Sequence, residues 1–335
     1  MEEGGVESVV LNLNRMLARA GHESFVVSRG GRLVPRIEVD GGRHLALDLK
    51  SKNPLTFFLR AAKLRRALDG LSPDLVCAHS RVPAWLFVQA KGRMRRQPKW
   101  ITYAHGANSI SRYSAVMTRG DLIVVPSRFL AEYLTGGYGR DFEAKIRVVP
   151  NAVDLDRFDP AKLDRAFMDE KRREWKLAPG ERVTMAVGRI TPLKGYDAVI
   201  DDFAARGSGK LVIVGGADAG KRKLLEALEA LARRRGVASR VVFAGPQTKI
   251  PECLALADEI VSGNTTKPES FGLSVAEAYA MNRPVRVLRR FGGVAEIMAA
   301  VESSARPTFR EAVTELYDFD IISRRTLEVY KELTQ

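Results

Sequence analysis

Val183-Thr184-Met185-Ala186-Val187-Gly188-Arg189-Ile190-Thr191-Pro192-Leu193-Lys194-Gly195-Tyr196 is a short apolar run that stops at a glycine and opens into a loop carrying two cations. A buried strand followed by a glycine turn and a helix start is the unit from which parallel α/β sheets are built. Working outward, the same alternation recurs. Leu211–Gly216, Val241–Gly245 and Glu259–Ser262 are strand candidates on one side, with Ser24–Val27, Leu75–His79, Trp100–His105, Leu122–Ser127 and Ile146–Pro150 on the other. Helical stretches lie between them, such as Leu55–Leu68, and Ile321–Leu333 is an amphipathic closing helix.

Val6, Val9, Val10, Leu13 and Leu17 fall at helical spacing, so residues 6–20 are expected to form a helix ended by Gly21-His22. A doubly wound domain normally enters such a helix from a buried strand. Here the helix follows Gly4-Gly5 directly, so the first strand of the N-terminal domain is expected to be missing. Pro150 through Pro160, rich in Asp and Pro, reads as a linker. The expected division is a first domain over residues 1–150, with the helix 321–335 packing near it, and a second over 151–320. A chain of 335 residues, 45% hydrophobic, accommodates two such cores.

Cys77 and Cys253 lie far apart in apolar runs and read as core thiols of a reducing compartment. The four histidines, His22, His44, His79 and His105, form no ligand-spaced cluster, so no protein-held metal is expected. No apolar stretch is long enough to span a bilayer, and the acidic start is unlike a signal peptide. A cytoplasmic protein is expected. The net charge of +14 is uneven: residues 1–150 carry 24 Lys and Arg against 13 Asp and Glu, the remainder 30 against 27. Anionic partners are therefore expected at the N-terminal half. With aromatics at 7% and no aromatic-interleaved basic strand, nucleic acid is not the expected partner. Gly4-Gly5 does not supply the fuller fingerprint of a dinucleotide-binding dehydrogenase.

Chemistry concentrates in two segments. Arg189, a forked donor, and Lys194, a compact charge, suit convergence on a diphosphate, or are solvated loop charges. Val214-Gly215-Gly216 repeats the strand-to-glycine turn. In Pro268-Glu269-Ser270-Phe271-Gly272-Leu273-Ser274-Val275-Ala276-Glu277, Gly272 allows close backbone approach, and the following helix start offers amides to an anion. Glu269 and Glu277 suit one ligand with two polar regions; the alternative is a glutamate on the helix dipole plus a surface carboxylate.

Pro150-Asn151-Ala152-Val153-Asp154, the Gly-Arg…Lys-Gly segment, the Glu-x7-Glu segment and Gly292-Gly293-Val294-Ala295-Glu296 occur in one order, after Ala20-Gly21-His22-Glu23. Together they resemble glycosyltransferase family 4, whose members are retaining enzymes of GT-B fold, including those of the bacterial lipopolysaccharide core. The likeness covers essentially the whole chain apart from the first strand. It implies two Rossmann-like domains facing a cleft and a metal-independent, hexosyltransferase-like enzyme without a cofactor. It further implies a nucleotide-sugar donor held mainly by the second domain. Arg189 and Lys194 would neutralise the diphosphate, with the amides of Gly272 and Leu273 and the turns at Gly188 and Gly215 assisting. Glu277 would hold the ribose and Glu269 the transferred sugar. His105 matches the family's strand-end histidine facing the reacting sugar, its alternative being a hydrogen-bonded core residue. Gly4 and Gly5 match the turn that abuts the donor phosphates and the acceptor.

The sequence departs from the pattern at Ala152, where glycine is commoner, in the polar stretch Asn264–Lys267 and in a short region Ala299–Thr308. The basic clusters Lys91–Arg96 and Arg60, Lys63, Arg65 and Arg66 suit an anionic glycan or lipid-linked acceptor and a peripheral contact with an anionic membrane. Lys52, Asn53 and Arg81 are candidate acceptor contacts. An epimerase of the same fold and a catalytically inactive scaffold are the alternative functions.

Overall fold

The computed structural model describes residues 4–51, 53–217, 220 and 222–334. The chain forms two compact units. One runs to Ala152 and takes up the chain again at Phe319, and the other is Val153–Asp318.

The first unit opens with the helix Gly5–Arg19, whose inward positions include Met16 and Leu13. It ends at Gly21, where a positive φ of 80° lets the chain turn back. Six parallel strands follow: β1 (Phe25–Ser28), β2 (Arg43–Ala46), β3 (Leu75–Ala78), β4 (Lys99–Tyr103), β5 (Leu122–Val125) and β6 (Ile146–Val148). They fall into two separate sheets, β1-β2 and β3-β4-β5-β6. In a doubly wound sheet ordered 3-2-1-4-5-6, the first strand joins the strands on its two sides. Among the described residues no strand precedes the helix Gly5–Arg19, and the sheet divides at that position. The edges of β1 and β3 stay partly exposed, whereas β5 is buried throughout. The helix Phe319–Thr334 buries Phe319, Ile322, Val329 and Tyr330 against Ile101, Tyr103 and Val124 of this unit.

The second unit holds β7 (Val183–Val187), β8 (Lys210–Val214), β9 (Val241–Gly245), β10 (Glu259–Ser262) and β11 (Val285–Val287). Their order is β11-β10-β7-β8-β9, all parallel. Counted within the unit this is 5-4-1-2-3, a doubly wound sheet that reverses direction between β7 and β10. Ligands of such sheets bind beyond the carboxyl ends of the strands at that reversal. There the loop after β7 carries Gly188, Arg189 and Lys194, and the loop after β10 leads to Glu269 and Gly272. The stretch Ala299–Thr308 is helical to Glu302, then turns into a capping box in which Thr308 and Glu311 satisfy each other's amides at the start of the helix Phe309–Tyr317.

Two strands were not expected from the sequence. Arg43-His44-Leu45-Ala46 (β2) and Val285-Arg286-Val287 (β11) are short, lie at sheet edges and carry charge, so neither shows the apolar run that marks a buried strand.

Candidate functional site

In the second unit the glycines bring three strand-end loops into contact. Gly215 has a φ of +157°, and a Cβ there would lie 1.9 Å from the Gly188 carbonyl oxygen, a backbone atom with little room to move. Only glycine lets the β8 turn lie against the β7 turn. After Gly188 the chain makes a short 3-10 turn, Pro192–Lys194, which returns Lys194 over Gly188. The Lys194 ammonium reaches Glu269 Oε1 at 2.5 Å, across 75 residues of sequence. The two side chains are 22% and 14% exposed, so this pair is held in a poorly solvated place and is not an exposed ion pair. The Tyr196 hydroxyl donates to the Gly188 carbonyl at 2.5 Å and fixes the turn from beneath.

The helix Leu273–Ala280 starts beside this pair. Its first cap position, Gly272, is left-handed at φ +98°, and a Cβ would lie 2.4 Å from Val294 Cγ2. No side chain caps the helix start, which leaves its positive dipole end available to an anion. Gly293 N–H donates to the Glu269 carbonyl at 2.9 Å, so the Gly292–Glu296 motif pins the loop that carries Glu269. Further along the helix, Glu277 is half-buried. Desolvation pushes its carboxyl up to about 7, against the pull of Arg157 and Lys194. Asn264 is buried beside Lys194 and Ser274 in a small pocket. Its side-chain oxygen accepts from the Ser262 hydroxyl at 3.4 Å, while its Nδ2 finds no partner within the described protein. Arg189 is exposed and makes no hydrogen bond or ion pair with another described residue.

Gly188, Lys194, Gly215, Glu269, Gly272, Leu273 and Glu277 therefore gather at one sheet reversal, with Arg189 on its loop. A helix start, a lysine and two half-buried carboxylates can offer one place for an anionic group and one for hydroxyls.

In the first unit His105 stands just beyond β4, and its Nε2 is 2.9 Å from Nδ1 of His79, just beyond β3. The His79 ring stacks on Tyr103 with centroids 4.6 Å apart, and lies nearly parallel to His105. Burial lowers both imidazoles, His105 to about 4 and His79 well below its ordinary value, with His105 itself adding to the effect on His79. Burial thus favours the neutral form of both rings, and in the contact between them one ring nitrogen donates to the other, the direction following from the tautomers. The Tyr103 and Tyr330 hydroxyls meet at 2.6 Å, and the Cys77 thiol donates to Tyr330 at 3.4 Å. His79 was not anticipated as a site residue. The signal was its position, one strand earlier at the same strand end as His105.

Gly4 precedes the helix Gly5–Arg19 with extended backbone, and no atom lies within 4 Å of a Cβ built on Gly5. Of the expected acceptor contacts, Lys52 lies outside the described residues. Asn53 caps the turn Pro54–Thr56, accepting from Leu55 N–H at 2.9 Å. Arg81 donates to Ser114 Oγ at 3.1 Å and lies over the Tyr113 ring. Both have structural partners. The basic clusters are in part internally paired, Arg65 with Asp69, Arg96 with Asp74 and Lys91 with Asp121, and Arg60 is buried. Among the described residues no group of three His, Cys, Asp or Glu is placed to hold a metal ion, and no helix is long and apolar enough to cross a membrane.

Residues 3–157 match the model of Glycosyltransferase Family 4, and residues 167–306 that of Glycosyl transferases group 1. A D-inositol 3-phosphate glycosyltransferase of Xylanimonas cellulosilytica is 33% identical over 89% of this chain and 78% of its own length. Against the enzymes of the same description from Actinosynnema mirum, Nocardia farcinica and Segniliparus rotundus, the match spans only 43%, 38% and 39% of their lengths. Among solved structures, a glycosyltransferase of Rickettsia africae superposes with a TM-score of 0.85 at 22% identity, over 100% of this chain and 97% of that one. HepE of Anabaena, solved with UDP and glucose, gives 0.80 at 18% over 98% and 96%. These likenesses are to the GT-B architecture of two Rossmann-like units.

Proposed function

This chain belongs to the family 4, group 1 glycosyltransferases, and from that premise we propose that it transfers a sugar from a nucleoside-diphosphate donor with retention of configuration. The observation that carries the reading is the Lys194–Glu269 pair set against the uncapped start of the helix Leu273–Ala280, with Glu277 behind it. In this reading Lys194 and Arg189 meet the diphosphate, together with the amides of Gly272 and Leu273. Glu269 accepts from hydroxyls of the sugar, and Glu277 from those of the ribose. The bond from the anomeric carbon to the phosphate oxygen breaks as the acceptor oxygen forms its own bond from the same face. The acceptor proton passes to the departing phosphate, whose growing charge the fixed cations and helix dipole stabilise. His105, neutral and held by His79, serves at the reacting sugar.

No step assigned here needs a metal or a cofactor. The acceptor we infer is an anionic or lipid-linked glycan of cell-envelope synthesis, the protein working in the cytoplasm at the inner face of the membrane. The basic surplus of residues 1–150 supports this part.

Thermal-shift and calorimetric titration with UDP, GDP, ADP and their sugar conjugates test the donor site, with and without EDTA, on wild type and Arg189→Ala. Binding of one nucleotide, unaffected by EDTA and weakened in the variant, is the expected result. A folded protein that binds none of them overturns the reading.

A further inference from the structure

Between Asp48 and Asp69 the sequence carries six Lys and Arg and no acidic residue. This segment folds into the turn Pro54–Thr56 and the helix Phe57–Leu71. Arg60, Ala61, Leu64 and Leu68 face inward. Leu55, Phe58 and Leu59 do not: they are 90%, 67% and 59% exposed, three large apolar side chains within five residues. Scattered apolar exposure is ordinary, but a contiguous group set among basic residues marks a binding surface. The turn is also fixed. Asn53 Oδ1 accepts from Leu55 N–H, and the buried Arg60 donates to the Asn53 carbonyl at 3.1 Å and to Thr56 Oγ1 at 3.2 Å. Leu55 is thus held outward by bonds that do nothing to cover it. Beyond Leu59 the outer face continues through Ala62, Lys63 and Arg66, at the three- and four-residue spacing of one helix face. Lys63 and Arg66 are exposed and form no ion pair with a described residue, unlike Arg65, which is paired to Asp69.

We propose that this surface seats the protein on an anionic bilayer, with Leu55, Phe58 and Leu59 at the acyl boundary and Lys63 and Arg66 at the lipid phosphates. An apolar edge with a basic shoulder is the pattern of interfacial helices. Charge decides against a second copy of this chain, because a two-fold contact would set the same uncompensated cations close to one another. The proposal deepens the membrane part of the function above, yet it needs no transfer chemistry.

The test is flotation of the full chain with phosphatidylcholine vesicles, with and without phosphatidylglycerol, in the absence of donor and acceptor. Wild type binds the anionic vesicles and not the neutral ones. The variant L55S/F58S/L59S, altered only at exposed positions, keeps its melting temperature and binds at least about 100-fold more weakly. K63E/R66E loses about fivefold or more per residue, and wild-type binding weakens as salt is raised. In F58W, tryptophan emission moves to the blue on anionic vesicles. Wild type that fails to bind, a triple variant that binds equally well, or a wild-type dimer that the triple variant dissolves each overturns the proposal. Each of these leaves the nucleotide titration untouched, so failure here and failure of the donor site are separable.

Discussion

Replacing Lys194 by Met removes one member of an ion pair whose side chains are only 22% and 14% exposed. Glu269 then loses the ammonium 2.5 Å away. Breaking a fully buried pair from one side costs about 3–5 kcal/mol, and the remaining solvent access puts this one near the lower end, about 3 kcal/mol. For a domain of this size that is a fall in Tm of about 6–12 °C. Glu269→Gln costs less, because the amide can still accept a hydrogen bond. The double variant K194M/E269Q recovers part of the stability, with a coupling of about 1–3 kcal/mol. Function follows a different pattern. If Lys194 also meets the diphosphate, its loss removes about 3 kcal/mol of transition-state stabilisation, roughly 150-fold in turnover. The double variant does not regain this, since neither residue can then do its work. Thermal melts of the four proteins, with nucleotide titrations and turnover beside them, read both effects. K194M with unchanged Tm and unchanged nucleotide affinity refutes the pairing and the role together.

Two further outcomes follow from the titrating groups. Glu277 is lifted to about 7 by burial, so its ionised fraction falls from about nine-tenths at pH 8 to about one-tenth at pH 6; if the carboxylate accepts ribose hydroxyls, nucleotide affinity drops by up to about tenfold across that span, and Glu277→Gln is weak and flat. His79→Phe keeps the stacking but removes the contact to His105 Nε2, so nitrogen NMR shows His105 as a mixture of tautomers and turnover falls by about 10- to 100-fold at unchanged nucleotide affinity, with His79→Gln recovering part. Unaltered His105 resonances in His79→Phe would refute the positioning role.

The central strands of both units were legible because each is an apolar run ended by a turn residue; Val183–Val187 and Leu122–Val125 are buried along almost their whole length. Strands β2 and β11 were not, since edge strands need no such run. The order of motifs along the chain was also legible, and with it the resemblance to family 4. Other features depend on residues meeting that lie far apart in sequence. Nothing in the sequence pairs Lys194 with Glu269, 75 residues apart; the sheet reversal brings their loops together. His79 is one histidine among four until neighbouring parallel strands end side by side. The sequence offers two basic clusters, Lys91–Arg96 and Arg60–Arg66, and only the fold tells that Asp74 and Asp121 pair with part of the first and Asp69 with Arg65 of the second. Leu55, Phe58 and Leu59 belong to one helical stretch of the sequence, and only the fold, with Arg60 holding the turn before the helix, leaves them exposed.

By itself the sequence determined the α/β class, the strand-turn-helix units, the family and the glycines around which the strand-end loops of the second unit are built. These rest on short-range causes: apolar period, turn chemistry and backbone freedom. The tertiary structure alone decided which charges are paired, which histidine holds which, and which apolar side chains are left in water. Those outcomes depend on distances between segments, and a chain acquires them only when it folds.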